Sequence, residues 1–181
     1  MSDKKSNKYL KLIGLAIFLS AIVAHYINKS SSSRSFGNVS EVCNFLSSQG
    51  IDTHMSKNPD VTRSICFSNY VELDSSDSDA LANNIAYYVM GKGSQIEKLK
   101  VVVNFNQPPS SYTEDTALKA FQTLISKSLG VDSLPQLEDA IKNRKSMNWS
   151  ATTPDQKKVA DIKLVYDKWP TTGYEFRFII E

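Results

Sequence analysis

Two patterns of apolar residues divide the chain. Residues 12–24 read LIGLAIFLSAIVA, thirteen positions without a charge, and the window 9–27 gives nineteen, interrupted only by Lys11 and His25. At 1.5 Å per residue, a helix of that length reaches about 28 Å, close to the roughly 30 Å hydrocarbon core of a bilayer. Tyr9 and Tyr26 suit the headgroup boundary, and Lys11 can extend its ammonium back to it. This pattern predicts a transmembrane helix at 9–27. Lys4, Lys5, Lys8 and Lys11 precede the apolar centre, whereas only Lys29 and Arg34 follow it closely. The positive-inside bias therefore keeps residues 1–8 cytoplasmic and sends the rest across. A cleaved signal peptide fits less well. Cutting after Ala24 or Ala21 would place Ile22 or Leu19 where a small residue is wanted. Residues 28–36, with four consecutive serines, read as a flexible tether.

Beyond the tether the pattern becomes periodic. Asn38 and Glu41 form a capping box, and Val39, Val42, Cys43 and Leu46 give the stripe of a helix ending at Gly50. Strand-like runs follow at 51–56 and 63–73, separated by the turn signal Asn58-Pro59-Asp60. In the second run, Ile65, Phe67, Val71 and Leu73 alternate, with Cys66 on the opposite side. Leu81, Ile85, Tyr88 and Val89 suggest a helix over 78–91. The clearest strand is 96–106, with Leu99, Val101, Val103 and Phe105 on one face and Lys98, Lys100, Asn104 and Asn106 on the other. One solvated face marks an antiparallel sheet. Ser111 and Glu114 suggest a second capping box, opening a helix to Leu129. Ser133 and Gln136 suggest a third, for a short helix to Asn143. Residues 159–167 and 173–181 form a terminal hairpin. The order α-β-β-α-β-α-α-β-β lacks regular βαβ alternation. The expectation for 37–181 is an extracytoplasmic α+β domain, with a mostly antiparallel sheet of four or five strands and helices on one face.

Charge sharpens the division. Of the 21 Lys/Arg and 19 Asp/Glu, residues 1–35 hold six and one, so the remainder carries 15 basic against 18 acidic side chains, a net of −3. The slight overall basicity belongs to the anchor. A domain of net −3 lacks the electrostatic footprint of phosphate binding, which argues against nucleic acid as a partner. The two cysteines, Cys43 and Cys66, both lie in the exported part, and an even count there reads as one disulfide. Their spacing fits neither a C-x-x-C redox pair nor a zinc site.

Candidate chemistry is sparse. The acidic stretch Glu72, Asp74, Asp77, Asp79 lacks the glycine and terminal glutamate of a calcium loop, and helix capping by Asp77 or Ser76 accounts for it. His54 has no nucleophile or carboxylate that the sequence pairs with it, and no nucleotide-binding loop or H-E-x-x-H helix occurs. The carboxylate pairs Glu114/Asp115 and Glu138/Asp139 sit where helix N-termini favour acids. The basic run Lys142 to Lys145 suits a helix C-terminus, with anionic lipid as the alternative. Asn28, Asn38 and Asn148 head glycosylation triplets, which matter only in a glycosylating host. Trp149 and Trp169 lie beside loops, where aromatic anchors form binding surfaces. No catalytic, cofactor or metal residues are assigned. The reading is a single-pass inner-membrane protein whose periplasmic or extracellular domain binds an envelope protein, such as a complex subunit or a toxin. The alternative is a tethered hydrolase or transferase with a site assembled from scattered polar residues.

Overall fold

The computed structural model describes residues 36–58, 63–74, 81–152 and 158–181, apart from the side chains at 152, 158 and 159. The expected span at 9–27, its flank 1–8 and all but the last residue of the tether lie outside the described residues. Among the described residues, no helix is long and apolar enough to cross a membrane.

Those residues form an α+β domain. Its elements are α1 (Val39–Cys43), a 3₁₀ turn (Ser47–Gln49), β1 (Thr53–Met55), β2 (Ser64–Ser68), β3 (Val71–Glu72), β4 (Asn84–Lys92), β5 (Gln95–Phe105), α2 (Ser111–Leu129), α3 (Leu137–Lys142), β6 (Met147–Thr152), β7 (Lys158–Lys168) and β8 (Tyr174–Ile180). The strands make one sheet in the order β1-β2-β4-β5-β8-β7-β6, with β3 also paired to β4. Each pairing is antiparallel.

Register sorts the sheet into rows. Val89, Leu99, Ile180 and Ile162 lie abreast; Tyr87, Val101, Phe178 and Leu164 form the next row, and Ile85, Val103, Phe176 and Tyr166 the third. All but Tyr166 are fully buried. Phe121 of α2 stacks on Phe178 with centroids 4.8 Å apart, and the Tyr87 hydroxyl donates to the Val42 carbonyl of α1 at 3.0 Å. The core thus lies between these rows and the helices. Burying each large side chain there contributes about 1.5–3 kcal/mol. Two glycines are fixed by close approach. A Cβ on Gly91, at the β4 bulge, would sit 2.0 Å from the Gln95 carbonyl oxygen; on Gly173 it would sit 2.6 Å from that of Phe105.

Several expectations are corrected. The sheet has eight strands rather than four or five. Residues 84–92, expected as the end of a helix at 78–91, are strand β4. Ile85, Tyr87 and Val89 point to the core while Tyr88 and Met90 are only part-buried on the other face, so a period of two fits better than 3.6. Non-local pairing with β2 and β5 decides the outcome, and β-branched and aromatic residues favour it. The run 63–73 divides into β2 and β3. The helix expected to reach Gly50 stops at Cys43. There Asn44 donates to the Ser40 carbonyl and Ser47 to Asn44 Oδ1, local bonds that compete with helix propagation.

Two caps also move. Ser110, not Ser111, caps α2 by accepting from the Thr113 amide at 3.2 Å. Ser133 does not cap α3, which begins after Gln136 in a left-handed conformation without a side-chain cap bond. Residues 147–152, expected as loop, are β6.

Candidate functional site

β6 ends the sheet. Among the described residues it pairs with β7 alone, Met147 facing Leu164 and Ala151 facing Ala160, with a register shift only beyond Ala151. Among the described residues, no backbone group of 147–151 is hydrogen-bonded on its other side. A strand edge of this kind is a template for another strand. It holds no charged residue and no proline, the usual devices that blunt an edge. Met147, Trp149 and Ala151 share the core face, while Asn148 and Ser150 are exposed on the opposite face. The Trp149 indole N–H donates to the Pro135 carbonyl at 2.9 Å, which fixes the ring over the edge of the core. Ser150 Oγ donates to Asp161 Oδ1 at 3.2 Å. The result is a row of unpaired peptide groups flanked by a half-buried aromatic ring on one face and small polar side chains on the other. That arrangement can take main-chain hydrogen bonds from an extended partner, with side-chain contacts adding selectivity.

Trp169, the other tryptophan considered as a binding residue, lies elsewhere. It follows β7 in the hairpin to β8, where its amide donates to the Gly173 carbonyl at 3.3 Å and its ring closes over Gly173. Trp149 faces Ile162, seven positions before Trp169, which amounts to about 23 Å along a strand. The two rings do not form one patch. From the sequence, Asn148 stood out only as the head of the glycosylation triplet that Ser150 completes, not as part of a contact surface. The alternation of Met147, Trp149 and Ala151 with polar neighbours is the signal that marks them.

Cys43 and Cys66 are joined, with Cα atoms 6.1 Å apart. The bridge ties the end of α1 to β2. It is possible because β2 carries a bulge between Ser64 and Cys66, which lets both Ile65 and Cys66 turn inward. The apparent conflict between Cys66 and the alternation of 63–73 is resolved by that irregularity. Thr53 of β1 adds a bond from its hydroxyl to the Cys43 carbonyl at 2.9 Å.

Polar clusters elsewhere have structural partners. Asp74 accepts hydrogen bonds from Asn83 and Ser110, each at 2.9 Å, and from the Thr113 hydroxyl. Burial opposes its ionisation, but these bonds outweigh burial and hold its carboxyl below the ordinary carboxylate range. The knot locks the start of α2 onto the β3–β4 connection. On the face opposite the buried rows, the Lys100 ammonium lies 4.4 Å from the Tyr88 ring centroid, and burial depresses its pKa. Glu175 on the same face is pushed upward by burial. Arg177 pairs there with Asp167 at 3.1 Å and Glu175 at 3.0 Å.

The basic run after α3 is also engaged. Lys142 pairs with Glu138 at 2.6 Å, Lys145 lies 3.9 Å from Asp139, and Arg144 stands over the Tyr174 ring. These contacts engage the run within the domain itself. A shallow cleft of about 300 Å³ runs along α2, lined by Gln49, Tyr112, Asp115, Thr116 and Lys119. Among the described residues, no group of three or more His, Cys, Asp or Glu side chains is arranged to hold a metal ion. His54 stacks edge-on against Phe67 at 4.2 Å.

No protein-family model matches the chain, and neither the curated proteins nor the solved structures provide a match. The functional reading rests on the sequence pattern of residues 1–35 and the geometry of the domain.

Proposed function

We propose that this is a membrane-anchored, non-enzymatic interaction module of the cell envelope. Residues 9–27 hold it in the inner membrane with residues 1–8 cytoplasmic, and the domain from Phe36 onward takes a protein partner on the far side. The observation that carries the reading is the open, charge-free edge of β6 beside Trp149. Such an edge risks indiscriminate pairing unless a partner covers it. The Cys43–Cys66 bridge supports the exported location, because structural disulfides persist in oxidising compartments.

Two measurements test this. Alkaline phosphatase fused after Glu181 is expected to be active and green fluorescent protein dark; the reverse refutes export. A photo-cross-linking residue replacing Asn148 in the full-length membrane protein is expected to give a protein adduct. The same substitution at Asp167, exposed near the β7–β8 hairpin, is expected to give none. An adduct-free Asn148 position would remove the β6 edge as the contact surface.

A further inference from the structure

We infer that the partner on the β6 edge is a second copy of this chain, paired antiparallel through β6 about a two-fold axis perpendicular to the sheet. The inference rests on the proposed use of that edge and names its occupant.

The argument begins with the pattern along the strand. Antiparallel pairing about a two-fold centred on Trp149 sets residues whose numbers sum to 298 opposite each other. Trp149 then meets Trp149 of the other copy, Met147 meets Ala151, and Asn148 meets Ser150. Directly opposed residues share a face, so the apolar row Met147-Trp149-Ala151 extends into an apolar row and the polar row into a polar one. The large Met147 opposes the small Ala151 twice. The Asn148 amide and Ser150 hydroxyl supply complementary donors and acceptors across the seam. No charge faces a like charge. This register uses the whole regular part of β6, since the pairing with β7 first shifts after Ala151.

The symmetry also agrees with a shared bilayer. A two-fold perpendicular to the sheet places the helices of both copies on one side. Phe36, where the described chain begins, belongs to the core between helices and sheet, and α1 follows it on that side. Phe36 therefore lies on the same side of the joined sheet in both copies, as attachment to a shared membrane would require. Confinement there raises the effective concentration of one copy around another, which favours a modest seam. The core gains as well, because Trp149 and Met147, only partly covered in one copy, acquire apolar neighbours.

The test uses the full-length chain in detergent micelles, with mass read by sedimentation equilibrium. Wild type is expected to be a dimer. The variant N148K/S150K sets lysine against lysine twice and is expected to weaken self-association at least about tenfold, as is N148E/S150E. An equimolar mixture of the two places each lysine opposite a glutamate and is expected to restore the dimer. Oxidation of a mixture of N148C and S150C proteins is expected to yield far more cross-linked dimer than either protein alone. A monomeric wild type, or a dimer indifferent to N148K/S150K, overturns the inference. If wild type is monomeric while the Asn148 photoadduct forms with a different protein, the interaction module stands and the second copy falls. A dimer that survives without membrane attachment would support the seam and show that confinement in one membrane is not required for it.

Discussion

The two ends of the sheet are built differently. At one end β1 is three residues long, and its neighbour β2 is bound covalently to α1 through Cys43–Cys66. At the other end β6 is six residues long, carries no covalent tie, and depends on β7 and the Trp149–Pro135 bond. A very short edge offers little template for an added strand, whereas a regular, uncharged one offers several peptide groups in register. The disulfide sits beside short strands, at the β2 bulge between Ser64 and Cys66. The open edge sits where regular pairing is good enough to hold without a bridge. Stability and availability for contact are thus placed at opposite ends.

The largest expected effect breaks the stapled end. Replacing both Cys43 and Cys66 with alanine opens a loop with a sequence separation of 23. The chain-entropy model puts the loss at about 3 kcal/mol of unfolding free energy. Denaturant titration of wild type with and without reductant, beside the double variant, measures it. A loss below about 1 kcal/mol would show that packing of Val42, Leu46 and Ile65 already holds this end.

Next comes the open end. Trp149→Ala removes a half-buried ring and the bond to Pro135. Full burial would make this cost about 3–5 kcal/mol, and partial burial brings the expectation to about 2 kcal/mol. If thermal or chemical denaturation shows no change, Trp149 is held for contact rather than for the fold.

These two ends also show what the sequence conveyed. Local signals with one dominant face were read correctly: β5 keeps Leu99, Val101, Val103 and Phe105 on one buried face, and the β7–β8 hairpin joins two alternating runs across a Pro-Thr-Thr-Gly turn. The disulfide followed from the cysteine count and the compartment expected for this part of the chain. β4 was misread because Ile85, Tyr88 and Val89 also fit a helical stripe; only pairing with β2 and β5 decides between the periods. β6 went unread because six residues between a basic run and Pro154 carry too few alternations to stand out. The edge character that makes β6 a candidate site is a property of topology, and local sequence does not encode it.

Between the ends, Asp74 offers a smaller, pH-dependent test. Its folded pKa lies below the ordinary value, so its contribution is complete above about pH 5 and is lost as pH falls through the folded value. Asp74→Ala is expected to cost about 1–2 kcal/mol at neutral pH, by leaving Asn83 and Thr113 short of an acceptor. The same variant should flatten the acid limb of a stability–pH curve. An unchanged limb would assign that limb to other carboxylates, Glu181 between Lys98 and Lys163 being the next candidate.

The smallest expected change in fold stability discriminates most between the two ends. Met55→Lys on β1 and Asn148→Lys with Ser150→Lys on β6 alter exposed side chains, and each should change unfolding free energy by no more than about 0.5 kcal/mol. Their effects on association should nevertheless differ. A lysine on β1 meets no partner strand and should leave sedimentation unchanged, whereas the β6 pair should abolish the dimer at concentrations where wild type remains associated. Equal effects at both ends would mean that general surface charge, rather than the β6 edge, governs association. A loss confined to β6, with folding intact in both proteins, separates the edge as a contact from the edge as part of the core.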